Sequence, residues 1–145
     1  MSAASLTETV DEIAADFDLL ADGDEQLSYV IELGKKLAPL SQDERIDANK
    51  VRGCASQVWL VTEPAPGGRL RFRGDSDAII ARGLVGVVLR IFSDRTPAEI
   101  LGADANAIFE RLKLTQMLTP QRSNGLFSMI QRIRTDAQKA AAAAA

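Results

Sequence analysis

Hydrophobic positions in the first twenty residues fall at Leu6, Val10, Ile13, Phe17 and Leu20, steps of three and four that put them on one face of a helix. Ser5 and Glu8 supply a capping-box pattern at its start, and Gly23 is expected to end it. A second helix is expected from Asp24 as N-cap, with Leu27, Val30, Ile31, Gly34 and Leu37 on one face. Its Lys35 and Lys36 fall near the C-terminus, where the helix dipole favours cations, and Pro39 is the stop. From Ala38 to Asn49 the pattern turns polar and aperiodic, which marks a connecting loop. The period then shortens. Gln57-Val58-Trp59-Leu60-Val61-Thr62 is rich in β-branched and aromatic residues and too short for a helix, so it reads as a strand. Pro64-Ala65-Pro66-Gly67-Gly68 supplies a turn, and Arg69-Leu70-Arg71-Phe72-Arg73 alternates charged and apolar residues as a half-buried strand does. The two make a hairpin, with a third short strand expected around Val51.

Asp75, Ser76 and Asp77 offer N-capping oxygens ahead of the most apolar segment, Ile79 to Phe92, where Ile80, Leu84, Val87, Val88 and Ile91 form a wide stripe. This is the expected central helix. Gly83 and Gly86 within it each lose about 1 kcal/mol of helix propensity, a loss best tolerated where another backbone packs closely. Thr96-Pro97-Ala98-Glu99 is a further capping box, with proline at the first helical position of a short helix that Gly102 closes. Two more helices centre on Ile108, Phe109 and Leu112, and on Leu126, Met129, Ile130 and Ile133. The reading is one α+β domain over residues 1–138, a small antiparallel sheet of about three strands packed against several helices. An alanine-rich tail, expected to be dispensable, follows at 139–145.

The 145-residue length fits one domain, and a hydrophobic share of 46% fills a core. No apolar run reaches the roughly 18 residues that span a bilayer, and the acidic, periodic first twenty residues are unlike a secretory signal; a cytoplasmic protein with no membrane partner is expected. A net charge of −3 and a pI near 5.0 argue against nucleic acid as a partner.

Two counts narrow the chemistry further: the chain has one cysteine and no histidine. An internal disulfide is excluded, as are Cys–His and Ser–His catalytic pairs. A structural zinc needs about four Cys or His ligands, so no metal site of that kind is expected. What remains is the lone thiol, carboxylates, or groups lent by a partner. Cys54 falls between loop and strand, beside Gly53, which permits unusual backbone angles and leaves room for another molecule to approach. Lys50 and Arg52 are close in sequence and are expected to favour the thiolate. The plain alternative is a small buried hydrophobe.

The stretch Val51-Arg52-Gly53-Cys54-Ala55-Ser56-Gln57-Val58-Trp59-Leu60 resembles the signature around the acceptor cysteine of the SufE family, which includes the related CsdE type. Three more segments agree in order and spacing: residues 29–37 (Tyr29 to Leu37), 74–79 (Gly74 to Ile79) and 114–125 (Leu114 to Gly125). The resemblance implies that Cys54 accepts the terminal sulfur of a persulfide from a SufS- or CsdA-like cysteine desulfurase, stimulates that enzyme, and passes sulfur to a cluster scaffold or other acceptor in iron–sulfur cluster assembly. Pyridoxal phosphate belongs to the desulfurase, and no cofactor is expected here. By the same resemblance Asp77 and Arg122 lie near the cysteine loop, and Gly53, Ser56 and Gln57 belong to it. A helix cap for Asp77 and a solvated charge for Arg122 are the plain alternatives, and Trp59 is expected in the core. The chain departs from the family pattern at Ala55, where glutamine is usual, at Met117, where histidine is common, and at Asp22-Gly23-Asp24, which lacks a tryptophan.

The implied reaction is a variant of thiol–disulfide exchange needing no base from this chain, which makes it a carrier and activator rather than an independent enzyme. An IscU-type cluster scaffold is disfavoured because one thiolate cannot hold iron as several do. A non-catalytic interaction domain with an inert cysteine is the alternative of another class. Monomer and homodimer both remain open. The Cys54 side chain is expected to be shielded in an apolar pocket beneath Gly53 to Gln57.

Overall fold

The structure, a computed structural model, describes residues 5–20, 22–54, 56–114 and 118–144. Ala55, Met117 and the final Ala145 lie outside the described residues, so the expectations attached to them have no structural counterpart here.

Helix α1 (Leu6–Asp18) starts at Ser5, whose hydroxyl accepts from the Glu8 N–H while the Glu8 carboxylate accepts from the Ser5 N–H, the expected capping box. Helix α2 (Gly23–Lys35) begins earlier than expected: Asp22, not Asp24, is its N-cap, accepting from the Glu25 N–H at 2.9 Å. Gly23 therefore opens α2 rather than ending α1, which stops at Asp18. Strands β1 (Val58–Ala65) and β2 (Arg69–Ser76) form an antiparallel hairpin with Val58 opposite Ser76 and Ala65 opposite Arg69, turned by Pro66–Gly68. Pro64 is thus inside β1 rather than in the turn. Its partner Leu70 donates to Arg95 O and accepts from the Asp94 N–H, away from β1, so the missing proline N–H leaves no ladder bond unmade.

Among the described residues the sheet has two strands. The third, expected around Val51, contracts to a single bridge between Lys50 and Trp59 beside a bond from the Val51 N–H to Val58 O. A 3-10 turn at Asp47–Asn49 precedes it and a turn through Gly53, at φ +88°, follows, which leaves room for only two extended residues.

Helix α3 (Ile79–Phe92) is the central helix, packed against α1, α2, both strands and the long helix described below, with Gly83 to Leu89 continuously buried. Its two glycines serve as expected. A Cβ on Gly83 would stand 2.6 Å from Val30 O, and one on Gly86 would stand 2.8 Å from the Leu33 carbonyl carbon, so α2 and α3 meet backbone to backbone. From the other side, Gly34 is equally confined by Gly83. The start of α3 differs from expectation: its N-cap is Ala78, which offers no capping side chain; the Ser76 hydroxyl accepts from the Ala78 N–H at 3.2 Å, and the Asp75 and Asp77 carboxylates are used elsewhere.

Helices α4 (Pro97–Gly102) and α5 (Ala105–Leu112) follow, with Asp104 capping α5. Thr96 caps α4 through the Glu99 N–H, but the Glu99 carboxylate accepts from the Leu6 N–H at 2.9 Å, so it caps α1 across the molecule. Helix α6 (Pro120–Ala144) buries Leu126, Met129, Ile130, Ile133 and Ala137 and runs past Lys139 without a break, with Ala140 half-buried on the core. Among the described residues, no helix is long and apolar enough to cross a membrane.

Candidate functional site

Cys54 lies on a loop whose neck is closed by the Val51–Val58 hydrogen bond. The chain entering the loop runs along α6. Gly53 fits there because a Cβ would stand 2.5 Å from Ser128 Oγ and because its φ of +88° is a conformation glycine adopts without strain. The next residue turns inward: the Cys54 thiol donates to Gly125 O, Sγ to O 3.6 Å.

The chain leaving the loop is held by the end of β2. Asp77 accepts from the Gln57 N–H at 3.1 Å and from its side-chain amide at 3.4 Å, and the Asp77 N–H and Ser76 hydroxyl donate to Gln57 O at 3.3 and 2.7 Å. Asp77 is therefore a loop anchor and not the cap of α3. Its neighbour Asp75, 1% exposed, accepts from the Leu40 and Ser76 N–H groups and pairs with Arg45 at 2.6 Å and Arg82 at 3.3 Å. Burial pushes its carboxyl up, but Arg45, the two N–H groups and Arg82 outweigh burial and hold it below the usual range. Arg45 also stands 5.4 Å over the ring of Trp59, which is buried as expected.

Between the loop, the start of α3 and the first turns of α6 is a cleft of about 280 Å³. Cys54, Ser56, Ile80, Leu84, Gly125 and Met129 are among its walls, Arg122 also lines it, and Ile79, 69% exposed, supplies an apolar rim. The Arg122 guanidinium makes no hydrogen bond or ion pair among the described residues. Of the residues singled out in the sequence, Cys54, Ser56 and Arg122 share this cleft, while Gly53, Gln57 and Asp77 form the loop and its anchor.

The half-buried thiol is less acidic than an ordinary cysteine, because burial penalises the thiolate. This corrects the expectation drawn from Lys50 and Arg52: nearness in sequence does not lower the pKa. Lys50 is held in the bridge to Trp59, and Arg52 is exposed. Sequence reasoning missed Ser128 and Arg132 on α6 and the hub at Asp75. The first two fall at helical steps from Gly125, a signal readable only once the loop is known to lie on that face.

Comparison with known proteins gives a consistent picture. A family described as "SufE: Fe-S metabolism associated domain" matches residues 11–137. An uncharacterized SufE-like protein of Rhizobium etli is 48% identical over 138 residues, 93% of each chain. Another, of Rhizobium meliloti, is 47% identical over 133 residues, 90% of this chain and 95% of that one. The solution structure of a hypothetical protein from Thermus thermophilus has the same fold, with a TM-score of 0.76 at 17% identity over 92% of this chain and 96% of that one.

Proposed function

Since this chain belongs to the SufE family, whose domain is associated with Fe-S metabolism, we propose that Cys54 is a sulfur acceptor that takes a persulfide sulfur from a cysteine desulfurase and hands it on to iron–sulfur cluster assembly. The observation that carries this reading is the placement of the only thiol on an anchored loop, facing a cleft with an exposed apolar rim at Ile79.

The Cys54 thiolate attacks the outer sulfur of the donor persulfide. A bond forms between Cys54 Sγ and that sulfur, the donor's S–S bond breaks, and the donor cysteine leaves as a thiolate that takes up the proton Cys54 gave away. No net oxidation occurs. The chain has no histidine to act as base, so deprotonation of a thiol held above its ordinary pKa falls to the docked partner. Docking against Ile79 and Arg122 would supply it by drawing Cys54 from the cleft into the donor's site, where the pyridoxal phosphate resides. A persulfide left in the cytosol is readily reduced or oxidised, which favours a carrier that keeps its sulfur in a cleft.

The test is mass spectrometry of the full chain after incubation with a cysteine desulfurase and cysteine. Wild type should gain one or more sulfur masses, and Cys54→Ser, folded by circular dichroism, should gain none. Equal gain by the substituted chain would overturn the assignment.

A further inference from the structure

Helix α6 meets the entering limb of the Cys54 loop at three points along one face: Gly125 accepts from the thiol, Ser128 backs Gly53, and Arg132 reaches the loop's root. The steps of three and four put these residues on one stripe. Arg132 donates through Nη2 to Ala48 O at 3.0 Å and through Nη1 to Lys50 O at 3.3 Å, two carbonyls just before the loop's neck. Its Nε faces Asp136 one turn on, at 3.5 Å, and Asp136 in turn accepts from the Thr62 hydroxyl of β1 at 2.7 Å. A chain of polar contacts therefore runs from the sheet through α6 to the backbone that carries Cys54. The leaving limb has its own anchor at Asp77, so the Arg132 fork is the counterpart that holds the other side.

We propose that Arg132, oriented by Asp136, is a positioning residue that latches the root of the cysteine loop onto α6 and so sets how often Cys54 leaves its cleft. The purpose of the latch rests on the reading of Cys54 as a sulfur acceptor, but its existence does not. A guanidinium suits the task because its planar donors meet two carbonyls at once, whereas an ammonium concentrates its charge at one point. Two limbs pinned at their roots leave the segment around Gly53 as the part that moves.

The molecule supplies a matched control. Arg134, two residues along α6, also donates to two carbonyls, those of Leu101 and Ala103, both at 3.2 Å, but these belong to α4 and the residue after it. The experiment measures the rate at which iodoacetamide alkylates Cys54 in the full-length free protein across pH, for wild type, Arg132→Ala, Arg132→Lys, Arg134→Ala and Arg134→Lys, alongside urea unfolding. Loss of a charge-assisted hydrogen bond that closes the loop raises the open population about tenfold. Arg132→Ala should therefore react about tenfold faster near neutral pH, with its pH profile moved down toward that of an ordinary thiol. Arg132→Lys should rise less, and the Arg134 variants should stay within twofold of wild type. If an alanine variant does not fold, the two lysine variants carry the comparison. An unchanged rate in the Arg132 variants, or an equal rise in the Arg134 variants, would overturn the latch. No desulfurase enters this measurement, so its outcome is separate from that of the sulfur-uptake test.

Discussion

At the scale of single residues, the chemistry of Cys54 is governed by what surrounds it in space. Burial raises the thiol's pKa above that of an ordinary cysteine, and Asp77 keeps the leaving limb in place through two bonds to Gln57. Replacing Asp77 by alanine removes both bonds at an exposed position, so the fold should lose less than about 1 kcal/mol, while the loop opens more often. The expected result is alkylation of Cys54 several-fold faster than in wild type, with the pH at half-maximal rate shifted down. The sign follows from the cause: a pKa raised by burial falls when the group is exposed to water. Thiol reactivity followed against pH checks this, and a profile identical to wild type would show that Asp77 does not control the loop.

At the scale of elements, α2 and α3 approach closely, because Gly34, Gly83 and Gly86 let two backbones touch. Gly83→Ala sets a methyl group 2.6 Å from Val30 O, an atom of a helix that cannot yield locally, and the expected loss is about 2–3 kcal/mol in urea unfolding. Gly23→Ala provides the contrast. It falls in the first turn of α2 with nothing within 4 Å of its added Cβ, and it should stabilise by about 0.5 kcal/mol through helix propensity. The same measurement on both variants distinguishes a packing glycine from a merely tolerated one. Capping shows a related division. Ser5 and Thr96 cap their own helices as their sequences indicate, yet Glu99 leaves its local role to cap α1, because the fold brings the unpaired Leu6 N–H within its reach.

At the scale of the whole molecule, the polar loop between α2 and β1 is fastened by two carboxylates. Asp75 is held below the usual range, and Glu44 is brought down to about 2 by Arg73 first and then by the Ser41 N–H. Both folded pKa values lie below the unfolded ones, so their contribution is present above the ordinary carboxylate pKa, about 4, and is lost as pH falls through the folded values. Stability should therefore be flat from neutral pH to about 5 and decline below about 4.5. Trp59, the only tryptophan, reports the event because Arg45 spans its ring and Asp75. Its fluorescence should change in the same acid window, and Asp75→Asn, which has no carboxyl to titrate, should remove Asp75's share of that pH dependence and cost about 3 kcal/mol, since it leaves two arginines without their buried partner. Stability in urea against pH, read at Trp59, tests both statements.

Features that depend on near neighbours along the chain were legible in the sequence. Helical period located α1, α3, α5 and α6; β-branched and aromatic content located the first strand of the hairpin and alternation the second; and the glycines of α3 pointed to a close backbone contact, because packing compensates for their lost propensity. A single cysteine and the absence of histidine restricted the chemistry in the same way. How the polar groups are shared out was settled by the folded arrangement instead. Asp75, Ser76 and Asp77 could each cap a helix by local rules, yet one is buried between arginines and the other two clamp Gln57. Lys50 and Arg52 adjoin Cys54 in sequence without lowering its pKa, while Gly125, Ser128 and Arg132, more than seventy residues away, meet the thiol, Gly53 and the root of the loop in turn. The physical reason is one of range: a periodic pattern records which face a residue turns inward, whereas a hydrogen bond or a desolvated thiol depends on which distant segment is folded against that face.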